Sequence, residues 1–160
     1  MTTDGIKEPL LLTIAVLGGT GKEGKGLAYR WAKAGYKVLI GSRSEERAVT
    51  AASEIMELAE GSTSIVGTSN HEAAQLADIV VLTVPFAAHR ETLESVKDVL
   101  KGKTLIDVTV PLVPPKVTKV QMPSAGSAAQ EAKEIVGEGV EVVAAFHSIS
   151  HEHLLKDDYV

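Results

Sequence analysis

Gly19-Thr20-Gly21-Lys22-Glu23-Gly24 places three glycines at the spacing GxGxxG. The β-branched run Leu11 to Leu17 precedes it, and the helical spacing of Leu27, Trp31 and Ala34 follows. That strand–turn–helix context is the one a dinucleotide-binding loop requires. Gly19 is expected to make the tight turn, and Gly21 to let the backbone approach a pyrophosphate. Gly24, helped by Gly26, is expected to let helix and sheet pack closely. The free N–H groups of the helix N-terminus then face the phosphates. Glu23 would repel a pyrophosphate if it pointed inward, so it is expected to face solvent or pair with Lys22.

A second signal lies at Ile40-Gly41-Ser42-Arg43-Ser44. An NAD site places an acid about 20 residues beyond the glycines, to bind the ribose 2′-hydroxyl. None stands here. Ser42 offers a small donor, and Arg43 a guanidinium able to grip a 2′-phosphate. Arg47, one helical turn later, adds charge. This pattern predicts NADP(H) over NAD(H).

Val84-Pro85-Phe86 suits an apolar wall against a nicotinamide, and equally a simple strand stop. Asp107 is expected to hydrogen-bond structurally within its strand. His147, at the end of the last strand, is placed to face the cleft. His151 and His153 follow, but without HExxH or cysteine a metal site is disfavoured. His71 and His89 read as solvated helix residues. No GxSxG elbow is present, and a hydride transfer needs none.

The elements behind these residues alternate. Strands are predicted at 11–17, 36–40, 64–67, 79–84, 105–110 and 141–146. Helices lie between them, one capped by Ser44, another by Asn70, a third beginning with the capping-box spacing Ser127 to Gln130. Ala48, Ala51, Ala52, Ile55 and Leu58 form the apolar face of the second helix. Pro111, Pro114, Pro115 and Pro123 exclude regular structure between the fifth strand and the last helix, and the final 13 residues have no clear period. Such alternation predicts an α/β fold, a Rossmann-type doubly wound parallel sheet of about six strands in order 3-2-1-4-5-6, with helices on both faces. The 160 residues suit one domain, with a core at 11–147 and a tail at 148–160. A net charge of −5 argues against nucleic acid. The absence of cysteine excludes disulfides and thiol chemistry and fits the cytoplasm. The apolar run from Pro9 to Leu17 is shorter than the roughly 20 residues of a spanning helix.

The stretches Ile14 to Ala28, Ile40 to Arg43, Val81 to Phe86, Asp107 to Pro115 and Ala144 to His147 resemble NADPH-dependent coenzyme F420 reductases. The resemblance extends from about Thr13 to Asp157. It implies reversible hydride transfer between NADPH and coenzyme F420, a deazaflavin. It further implies that Thr20 to Glu23 line the pyrophosphate, that Ser42, Arg43 and Arg47 hold the 2′-phosphate, and that Val84 and Ala88 border the nicotinamide. The position of His151 meets the cofactor, and the proline-rich loop after Val110 shapes the deazaflavin pocket. Members of that family run on beyond this length. The chain is therefore expected to be a fragment, a truncated gene or a reduced module whose acceptor pocket is incomplete, self-associating as a homodimer or otherwise through the edge of its last strand. The alternatives are a non-catalytic or partner-dependent NADP(H)-binding module, and the N-terminal domain of another NADP-dependent reductase.

Overall fold

The computed structural model describes residues 11–61, 64–112 and 120–156. Pro9, Pro114, Pro115 and Asp157 lie outside them. Six strands form one sheet: β1 (Thr13–Leu17), β2 (Lys37–Ser42), β3 (Ile65–Ser69), β4 (Ile79–Leu82), β5 (Thr104–Asp107) and β6 (Glu141–Ala144). Their order is β3-β2-β1-β4-β5-β6, and every pairing is parallel. The predicted class and strand order are those observed.

The helices are α1 (Lys22–Lys33), α2 (Glu45–Leu58), α3 (Asn70–Leu76), α4 (Phe86–Val96), α5 (Ala128–Val136) and α6 (His151–Leu154). Successive side chains of β1 leave opposite faces. Ile14 and Val16 enter the core shared with residues of α1, α2 and α6. Ala15 and Leu17 enter the core shared with α3, α4 and α5. Both faces of the sheet are thus covered, which is why β4 reads as an unbroken apolar run. Among the described residues, no helix is long and apolar enough to cross a membrane.

The strand order reverses between β1 and β4, so the loops leaving their carboxyl ends part and open a crevice. The glycine turn, Ser42, Arg43 and Val84 sit on that edge.

Several expectations are corrected. Gly18, not Gly19, takes the left-handed turn, with φ +70. Gly26 does not pack on the sheet: a Cβ there would lie 2.6 Å from Leu154 Cβ, on α6. Ala34 and Leu58 are exposed, because α1 buries Leu27, Ala28 and Ala32, and α2 turns its last residue outward. Ser69, not Asn70, caps α3, accepting from Glu72 N. Within the tail, Ser150 caps the one-turn helix α6. His89 is fully buried, because its face of α4 lies on β5; His71 is solvent-facing as expected.

Helix α2 rides unusually close on β3. A Cβ at Gly67 would fall 2.3 Å from the carbonyl carbon and oxygen of Ala48. Helix backbone cannot yield as a side chain tip does. Gly67→Ala should therefore cost about 1–3 kcal/mol, measured as a lowered urea midpoint. The neighbouring exposed Val66→Ala should shift it far less.

Candidate functional site

The glycine turn is fixed from three directions. Gly18 N donates to Asn70 Oδ1 at 3.3 Å. Gly19 N donates to Gly41 O at 3.2 Å, and Gly21 N to Gly18 O at 3.2 Å. Beneath it, Thr83 Oγ1 donates to Leu17 O at 2.9 Å. Two glycines are there for closeness. A Cβ at Gly19 would meet Val16 O at 2.8 Å, and one at Gly24 would meet Thr83 Oγ1 at 2.7 Å and Gly19 Cα at 2.8 Å. Gly21 is different. The nearest atom to its Cβ position is Gly18 O at 3.7 Å, so the space above it is open.

That space belongs to a cleft of about 840 Å³ along the carboxyl edge. Thr20, Gly21, Lys22 and Glu23 line its middle. Ser42, Arg43 and Arg47 line one end. Ser42 closes β2, and its Oγ accepts from Ser44 N at 3.2 Å. Both guanidiniums are exposed, and among the described residues neither is in an ion pair. Val84, Pro85 and Ala88 line the other end, opposite Val108, Thr109 and Val110. Sequence reasoning missed Asn70, Thr83 and Thr109 as wall residues. Their signal was available: each follows or ends a strand on the crevice edge.

Helix ends give the cleft its polarity. Serines at 44, 69, 127 and 150 cap α2, α3, α5 and α6 with their hydroxyls. Helices α1 and α4 begin at Gly21 and Pro85 and have no side-chain cap. Both of those caps line the cleft. Their uncapped N–H groups and partial positive charge are therefore available to an anion.

His147 and His151 do not line this cleft. His147 sits in the turn after β6, and His151 begins α6 beside a smaller hollow with Lys22, Lys25 and Lys156. Arg30 holds that helix by its carbonyl end: Nε donates to Leu154 O at 2.7 Å and Nη2 to His153 O at 2.9 Å, with a further bond to Lys156 O. Among the described residues, no cluster of three metal-ligating side chains occurs.

Glu23 is half-buried, neither fully solvated nor governed by Lys22. Burial pushes its carboxyl above the ordinary range, and the nearby His151 and His147 pull it partly back. A raised carboxyl binds its proton in the folded state before the unfolded chain does. Stability is then lost as pH rises from the ordinary glutamate range through the raised value. Glu23→Gln should accordingly melt higher than the parent chain at neutral pH. Below the ordinary glutamate range the two should melt together, as thermal scans across pH would reveal.

A family model described as "NADP oxidoreductase coenzyme F420-dependent" matches residues 13–111. The F420-dependent NADP reductase of Methanothermobacter marburgensis is 45% identical over 149 residues, 90% of this chain and 66% of that protein. The one from Methanocaldococcus jannaschii is 37% identical, over 88% of this chain and 65% of its own. The chain thus spans just under two thirds of these relatives' length. Among solved structures, a proposed F420-dependent NADP reductase of Arthrobacter sp. FB24 superposes with a TM-score of 0.73 at 23% identity, covering 88% of this chain and 65% of the other. Plasmodium falciparum pyrroline carboxylate reductase, solved with NADP bound, gives 0.54 at 21% identity, over 83% and 41% of the two chains. These two likenesses concern the fold.

Proposed function

The chain belongs to the coenzyme F420-dependent NADP oxidoreductase family, and from that premise we propose that it binds NADP(H) along the cleft and serves hydride transfer between the nicotinamide and coenzyme F420. The observation that carries this reading is the cleft itself. Open space over Gly21, two uncapped helix ends and two unpaired arginines line a single groove.

Each part has a role that follows from its chemistry. The backbone from Thr20 to Glu23 takes the pyrophosphate, with Gly19 and Gly24 allowing α1 to sit close enough. Ser42, Arg43 and Arg47 take the 2′-phosphate, since charge-assisted bonds to phosphate are the strong ones. Val84, Pro85 and Ala88 form the nicotinamide wall, excluding water from the carbon that exchanges hydride. The bound cofactor supplies the redox chemistry, and the chain orients it. The deazaflavin is assigned to the same end, against Pro111 and Leu112. His147, from the turn after β6, and His151, from the start of the α6 segment that Arg30 anchors, are assigned to the cofactor from the Glu23 side.

On this reading the described sheet acts as one cofactor-binding domain in the cytoplasm. Self-association is assigned to β6. It is one of the two edge strands of the sheet, and Val143 on it is 39% exposed, an arrangement that favours pairing with a second strand.

Two measurements test the reading. Arg43→Ala should weaken NADPH by about 10- to 150-fold, the worth of one charge-assisted bond of about 1.5–3 kcal/mol, and leave NADH affinity nearly unchanged. Gly21→Val should abolish binding of both cofactors without lowering the melting temperature. Equal loss of both cofactors in Arg43→Ala removes the 2′-phosphate assignment. Spectrophotometry of NADPH with F420 tests the transfer itself: oxidation of NADPH only when F420 is present supports it, and binding without oxidation reduces the chain to a binding module.

A further inference from the structure

Two buried titratable side chains play no part in the scheme above. His89 on α4 and Asp107 at the end of β5 are both completely inaccessible. His89 Nε2 lies 2.8 Å from Asp107 Oδ2. The other carboxylate oxygen, Oδ1, accepts from Thr109 N at 2.9 Å. On the far side of the ring, Nδ1 has no hydrogen-bond partner among the described residues. What faces it is Glu131 of α5, whose Oε1 is 3.6 Å away.

We infer that His89 is a positioning residue: a fully buried imidazole, held by Asp107 and facing Glu131, that fixes the nicotinamide end of the cleft. This rests on the proposed use of the cleft for NADP(H).

The ring is held from two sides. Nε2 is hydrogen-bonded to Asp107 of β5, and Nδ1 faces Glu131 of α5. A buried ring held this way cannot turn without leaving Nε2 and Asp107 Oδ2 unpaired, which burial makes costly. Arg90, on the ring's own helix, lies 3.5 Å from the same Glu131 oxygen and 3.8 Å from Glu94, so Glu131 ties α5 to two residues of α4.

The link to the cleft is direct. Phe86 and Ala88 share the first turn of α4 with His89, and Phe86's ring packs against the imidazole at 5.4 Å. Asp107 holds the backbone of Thr109, a wall residue whose Oγ1 donates to Val84 O at 3.4 Å. Both walls of the nicotinamide end therefore hang on one ring. The Arg43 end has no contact with the cluster. Loosening the cluster should thus affect one end of the cofactor and spare the other.

His89→Gln empties a core position and endangers folding, so Glu131→Gln is the decisive variant. Its side chain is near the surface, 13% exposed. Calorimetry should show NADPH binding weakened about three- to tenfold, below the full worth of a charged hydrogen bond because the effect is indirect. Adenosine 2′,5′-bisphosphate, which reaches only the Arg43 end and the glycine turn, should bind both proteins equally. Equal weakening of both ligands, or of neither, overturns the positioning role. Failure of the parent chain to bind either ligand overturns the NADP(H) reading on which that role rests.

Discussion

The architecture depends on how closely α1 can approach the carboxyl ends of β1 and β4. Atoms that a side chain at Gly19 or Gly24 would strike lie under 3 Å from the missing Cβ positions. Any larger residue would push the helix away from the sheet edge and tilt its first turn. The rest follows from that closeness. The first N–H groups of α1 stand at the edge where the loops diverge. Thr83 can brace Leu17 from the loop after β4, and Asn70 can reach Gly18 from the start of α3. The cleft is thus assembled by backbone held from below, and its middle needs few side chains of its own.

The two ends of the cleft are built on different principles. At Arg43 and Arg47 the groups are exposed and long, so they act by charge and adapt to what they meet. At Val84 and Ala88 the walls are short apolar residues on rigid elements, and their placement is set by hydrogen bonds behind them. Specificity at the first end is electrostatic, whereas at the second it is geometric. On the proposed reading both are needed, because the label that would select the cofactor lies far from the carbon that would react.

Strands, their order and the glycine turn were legible because they rest on local periodicity and on glycine spacing. A run such as Ile79 to Leu82 has one sensible interpretation. The errors share a cause. Gly18 and Gly19 are adjacent, and sequence cannot say which of the two turns left-handed when either is able to. Gly26 was assigned to the sheet because Leu154 lies 128 positions away and gives no local sign of docking there. His89 read as solvated because its burial depends on β5 and α5, whose polar partners Asp107 and Glu131 become visible only once the sheet brings them together. Long-range pairing, not propensity, was what the sequence withheld.

Four helices end in serine hydroxyls and two do not. The chain is acidic overall, with a net charge of −5, so at a distance it repels phosphates. Close in, the bare ends of α1 and α4 and the arginines at 43 and 47 reverse that sign within one groove. A polyanion approaching from bulk therefore meets a weak barrier and then a funnel, and salt screens the two over different distances. The ionic strength of the medium consequently governs how fast such a ligand arrives as well as how tightly it stays.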